Sequence, residues 1–176
     1  MSNMKDCPKY NTHDDYYTRD SSWKLINDYI PKDKVIWEGC LLNSNEQSKK
    51  CLIEMGCKEV IGDNTIDFLD EDWFQDYCDM IITNPPFDKK IKIPILKKLR
   101  ELDKPFILIM NSMNIFTKYF KEIFGDRMED IKIIYPTTKL HFDKYDEDGE
   151  LIEKKDNTSF YSCYVCYKVL EHNVWI

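Results

Sequence analysis

The chain has 176 residues, of which 43% are hydrophobic, 32% charged and 14% aromatic, and it carries a formal net charge of -7. The length suits one domain spanning 1–176 with a core of its own, and the aromatic share excludes a disordered chain. No apolar stretch approaches the ~18–20 residues needed to cross a bilayer, and the polar opening lacks the basic start and apolar middle of an export signal, so a soluble cytoplasmic protein with no membrane partner is expected.

Charge and cysteine usage narrow the classes further. An acidic protein is a poor polyanion binder, because such binding draws on Lys and Arg meeting phosphate. The imbalance is confined to one half, however. Residues 1–80 hold 9 Lys+Arg against 17 Asp+Glu, and 81–176 hold 16 against 15. Within the second half, Lys89, Lys90, Lys92, Lys97, Lys98, Arg100 and Lys104 form a local basic patch. Seven cysteines, an odd number, fit reduced and mostly packed thiols better than a disulfide framework.

In chain order, Trp23 and Ile26 at helical spacing predict a helix over Ser21–Tyr29, closed by Pro31. Val35-Ile36-Trp37 reads as a buried strand. Ser44 with Gln47 forms a possible capping box for a second helix carrying Cys51, Leu52 and Met55 and ended by Gly56. Val60-Ile61 and Met80-Ile81-Ile82-Thr83 read as further strands, with Phe68, Trp73 and Phe74 packing between them. A helix over Ile91–Leu102, started at Pro94, precedes the apolar strand Phe106–Met110. Helix Ile115–Phe124 and strand Ile131–Tyr135 follow. Leu140–Tyr145 and Ser159–Leu170 read as antiparallel strands around an acidic turn, Asp146 to Gly149. Alternating strands and helices predict an α/β fold: a mostly parallel, Rossmann-like sheet with a C-terminal antiparallel hairpin.

The chemistry concentrates at Thr83-Asn84-Pro85-Pro86-Phe87. A stiff loop at the carboxyl end of a buried strand lies where open α/β sheets bind ligands. Two prolines fix φ and remove two donors, leaving the Asn84 and Pro85 carbonyls and the Asn84 amide as convergent acceptors for an amine. Phe87 adds a flat face on which a base can stack.

The sequence Thr-Asn-Pro-Pro-Phe after a strand resembles the fourth motif of the amino-methyltransferases, which move a methyl group from S-adenosylmethionine to the exocyclic nitrogen of adenine or cytosine. The resemblance implies a class I methyltransferase fold and assigns Asn84, Pro85, Pro86 and Phe87 to catalysis. Tyr17-Thr18 is similar to the segment these enzymes set against the cofactor. Val35-Ile36-Trp37-Glu38 is similar to the strand entering their first motif, so Trp37, Glu38 and Gly39 are expected at the S-adenosylmethionine site. Asp63 is expected at the cofactor ribose, and Asp67 with Phe68 at its adenine. The chain departs from the family pattern after Glu38: Leu42 and Ser44 stand where glycines are expected, and Asn43 where an acid is expected.

The function this implies is methylation of the adenine amine in nucleic acid, DNA before RNA. Lys89, Lys90 and Lys92 would meet the backbone and Asn111 the target nucleotide, and a partner subunit or homodimer is possible. Hydrogen bonds from the amine to Asn84 and Pro85 would turn its lone pair toward the methyl, and positioning alone can lower a barrier by ~7–11 kcal/mol. The alternatives are a catalytically inactive nucleic-acid-binding or scaffolding member and a protein glutamine methyltransferase. Cys163 and Cys166 have the two-residue spacer of a metal pair, but on a strand they face opposite ways and no metal is expected. His13, His141 and His172 read as surface residues, the acidic run as a solvated tip, and the basic patch equally as an ordinary exposed helix face.

Overall fold

The computed structural model describes residues 16–40, 46–63, 67–70, 73–144, 151 and 160–176. Leu42, Asn43, Ser44, Tyr145, the turn 146–149, Ser159, Cys7 and His13 lie outside the described residues.

Short apolar runs become the strands of the main sheet. These are β2 (Val35–Trp37), β3 (Glu59–Ile61), β4 (Met80–Thr83), β5 (Phe106–Asn111), β6 (Ile131–Tyr135), β8 (Ser162–Tyr167) and β9 (Val174–Trp175). Their order is β3-β2-β4-β5-β8-β6-β9. Neighbours pair in parallel except β8, which runs antiparallel to both β5 and β6. Every residue of β4 and β8 is buried, the pattern of strands covered on both faces.

Among the described residues five helices cover those faces: α1 (Asp20–Lys24), α2 (Gln47–Glu54), α3 (Trp73–Tyr77), α4 (Lys89–Leu102) and α5 (Lys118–Phe124). Side-chain alternation along the strands splits the core in two. Ile36, Val60, Ile82, Ile107 and Tyr164 join Trp23 and Leu52 on the α1–α2 side, while Trp37, Ile81, Leu108 and Val165 join Phe74, Ile95, Leu99 and Phe120 on the side of α3–α5. Cys163 and Cys166 fall into opposite layers, as the strand period requires. All six described cysteines are buried thiols.

The antiparallel strands at the end of the chain have partners that periodicity did not indicate. β7 (Phe142–Lys144) pairs with β1 (Tyr16–Thr18) in a separate two-stranded sheet, and β8 inserts between β5 and β6.

Element boundaries moved where a polar side chain competes for backbone. α4 starts at Lys89 rather than at Pro94, because the Asp88 carboxylate caps it by accepting from the Lys90 amide at 2.8 Å. Pro94 lies exposed inside the helix. The predicted helix over 115–124 is broken at Thr117, whose hydroxyl donates to the Asn114 carbonyl at 2.6 Å and caps α5, leaving a 3-10 turn over Ser112–Phe116. The predicted helix over 21–29 divides likewise into α1 and a 3-10 turn at Asn27–Tyr29. Gln47 is the first residue of α2, after Glu46 in the left-handed region at φ 50, so it cannot close a capping box with Ser44. Its amide reaches Asp20 instead.

Candidate active site at the carboxyl edge of the sheet

The parallel register places the ends of β2 and β4 side by side, since Trp37 pairs with Ile81. Glu38 and Thr83 therefore meet. The Thr83 hydroxyl donates to Glu38 Oε1 at 2.5 Å, and the Cys40 amide donates to the same oxygen at 3.2 Å and to Thr83 Oγ1 at 3.1 Å. Glu38 is 2% exposed. Burial raises its pKa to about 7, and the hydrogen bonds from Thr83, the Cys40 amide and Ser48 oppose that rise without cancelling it. Ser48 in turn accepts from the Trp23 indole, which ties α1 and α2 to this edge.

The Asn84 amide nitrogen donates to the Tyr16 carbonyl at 3.3 Å, so β1 lies over the end of β4. The opposite atom, Asn84 Oδ1, is buried with no hydrogen-bond partner, and so is Thr18 Oγ1. Pro85 and Pro86 are buried and Phe87 is half-buried. The Phe87 ring sits in an aromatic cluster, 5.1 Å from Phe160, 5.4 Å from Tyr16 and 6.0 Å from Phe142. The expected open face for a base is thus partly taken by rings from three distant segments. Sequence reading missed this cluster, because nothing local to Phe142 or Phe160 announces it.

Gly39 is required by its surroundings. A Cβ there would lie 2.3 Å from Phe68 Cδ2, and the Phe68 ring, fully buried, also lies 4.6 Å from the Trp37 ring. Phe68 therefore packs inward against Trp37 and Gly39, and its face is not presented to an adenine. Asp67 is buried, with Oδ1 accepting from the Leu69 amide at 2.9 Å. Tyr17 is buried and Asp63 is exposed just beyond β3.

The basic patch divides. Lys89, Lys90 and Lys97 are exposed. Lys92 is not available to a phosphate: it is 5% exposed, and its ammonium donates to the Phe87 carbonyl at 3.0 Å. Lys98 reaches the Asp70 carbonyl and lies 5.4 Å from the Phe68 ring centre, Arg100 bonds the Ile123 carbonyl and Asp126, and Lys104 bonds the Cys78 carbonyl. Four of the seven cations thus brace the fold. Asn111 ends β5 at the same edge, but its side-chain oxygen accepts from the Met113 amide at 2.9 Å and caps the 3-10 turn.

The architecture is that of the class I methyltransferases. A solved structure assigned as a class I S-adenosylmethionine-dependent methyltransferase of Listeria monocytogenes superposes with a TM-score of 0.57 at 10% identity, over 90% of this chain and 64% of that one. This chain thus spans just under two thirds of its neighbour's length. No protein-family model matches the sequence. No curated protein matches it either. At that identity the likeness establishes the fold. Among the described residues no helix is long and apolar enough to cross a membrane, and no cluster of His, Cys, Asp or Glu could hold a metal ion.

Proposed function

We propose that the chain is an S-adenosylmethionine-dependent methyltransferase whose acceptor is the exocyclic amine of adenine in nucleic acid, DNA before RNA. The observation that carries this reading is Asn84 Oδ1, an acceptor buried without a partner at the carboxyl end of a central strand and followed by two buried prolines. An unmet buried acceptor costs about 1–3 kcal/mol, so a fold that retains one at a ligand-binding edge is consistent with an amine completing it.

The polar groups around Asn84 fit the cofactor. Thr18 Oγ1 is a second buried, partnerless atom on the strand over this edge, Glu38 follows β2, which adjoins β4, and Asp63 lies just past β3, the next strand out. Thr18 and Glu38 would hold the amino-acid end and Asp63 the ribose. When bound, S-adenosylmethionine supplies an electrophilic methyl group. Asn84 Oδ1 and the Pro85 carbonyl accept the two amine protons, which draws the nitrogen toward tetrahedral geometry and frees its lone pair. The stiff Pro85-Pro86 pair holds both acceptors in place, so orientation is set before reaction. After transfer the nitrogen is strongly acidic and releases its proton to water.

A second reading is favoured by Phe68 and Phe87. Both rings expected to face an adenine are engaged by the protein itself, as they would be in a non-catalytic, nucleic-acid-binding relative. One experiment separates the two. S-adenosylhomocysteine is titrated calorimetrically, and labelled methyl transfer is followed to polynucleotide and protein substrates in parallel. Transfer to adenine that falls at least a hundredfold in Asn84→Ala, on the scale of roughly 10²–10³ for losing one positioned polar group, supports the enzyme. Absence of ligand heat and of transfer supports the binding subunit, and label on protein glutamine redirects the acceptor.

A further inference from the structure

Beside the candidate site lies a groove with no part in the proposed methyl transfer. It has a volume of about 550 Å³ and runs from the 3-10 turn after β5 along one face of α5 toward Met128. Thr83 pairs with Leu108 and β5 continues to Asn111, so this turn begins at the same edge as Asn84, one strand over. Neighbouring strands lie ~4.8 Å apart, so the turn starts one strand over from Asn84 and leads into the groove at Ile115.

Its wall is built to expose an apolar ring. Phe116 is 80% exposed although its turn is closely tied down. Asn111 caps the turn, Asn114 Nδ2 donates to the Asn111 carbonyl at 2.9 Å, the Thr117 hydroxyl donates to the Asn114 carbonyl, and the Tyr119 hydroxyl donates to Asn114 Oδ1. The ring is therefore held in water by a framework that gains nothing from its exposure, the opposite of the usual inward placement. Ile115 and Met128 supply further apolar lining, and the charged residues lining the groove are two lysines, Lys118 and Lys121, with no acid among them. Lys118 is 89% exposed at its side chain and lies 3.6 Å from Glu122 across one helical turn, a pairing too exposed to hold it.

We propose that this groove is a subsite for the nucleotide flanking the target in a single-stranded or locally opened polynucleotide, with its base stacked on Phe116 and its phosphate met by Lys118 and Lys121. An aromatic face beside cations, in a groove whose lining carries no acid, is the chemistry that receives a base and its backbone. The proposal rests on the nucleic-acid reading of the neighbouring site and adds where the strand runs.

The test measures binding of a short fluorescein-labelled single-stranded oligodeoxynucleotide containing one adenine, over a salt series, to the full chain and to its variants. Phe116→Ala weakens binding roughly five- to hundredfold, the effect of removing one stacking platform, while Phe116→Tyr retains affinity. The double substitution Lys118→Ala and Lys121→Ala lowers the slope of log affinity on log salt by about 1.4, two contacts at ~0.7 each. Melting temperatures of the variants match the parent, since all three side chains are exposed. Unchanged binding in both variants overturns the subsite alone. A parent protein that binds no oligonucleotide overturns the subsite together with the nucleic-acid reading. Variants that change the oligomeric state in size-exclusion chromatography and leave nucleotide binding intact overturn it in favour of a contact between copies.

Discussion

Glu38→Gln separates the charge of this buried acid from its shape. In the fold its pKa is raised to about 7 from an ordinary 4.5, chiefly because burial disfavours the carboxylate. A raised folded-state value means that the unfolded chain releases its proton first. The acid's full contribution to stability is therefore present below pH 4.5 and is lost as the pH rises through 7. Integrated between pH 5 and pH 8, that linkage costs the native state about 2–3 kcal/mol, since each tenfold change in a proton-binding equilibrium is worth ~1.4 kcal/mol. Gln has nearly the same shape, can still accept from Thr83 and the Cys40 amide, and never ionises. Urea unfolding of parent and variant at pH 5 and pH 8, at fixed ionic strength, should show the parent losing about 2–3 kcal/mol more than the variant over this interval. Equal losses would refute the reasoning, because the acid would then titrate alike in both states and Glu38 would not be a desolvated carboxyl.

Two other substitutions probe the same edge. Gly39→Ala drives a methyl into the Phe68 ring, which is clamped against Trp37. It should destabilise by about 1–3 kcal/mol in urea unfolding at an unchanged m-value, the cost of overpacking a filled core, and native stability in this variant would show that Phe68 does not lie on Gly39. Lys92→Met keeps the stem and removes the donor to the Phe87 carbonyl. Leaving that acceptor unmet should cost about 1–3 kcal/mol by the same assay, and a neutral result would mean the ammonium does not brace the loop.

Local residue patterns were enough to specify the sheet's central strands and the place of the proline-rich loop. Val35-Ile36-Trp37, Met80 to Thr83, Phe106 to Met110 and Ile131 to Tyr135 are apolar runs whose meaning is local, and they became strands at or within a residue of the expected bounds. Asn84-Pro85-Pro86-Phe87 follows one of them directly, and proline stiffness needs no distant partner. Element ends were less legible, because one side chain such as Asp88 or Thr117 can capture a backbone group and move the boundary.

Which contacts the candidate site residues make was decided by long-range packing. Lys92 sits among exposed lysines in sequence yet turns inward to a carbonyl. Phe87 meets Tyr16 and Phe142 where β1 and β7 pair with each other and meets Phe160 from a third segment, and Phe68 lies on Gly39 because a glycine there leaves room for a ring. β8 enters between β5 and β6, across most of the second half of the chain. Each of these depends on which remote side chain fills a given volume. Such a choice is made by the whole chain at once, and no window of neighbouring residues contains it.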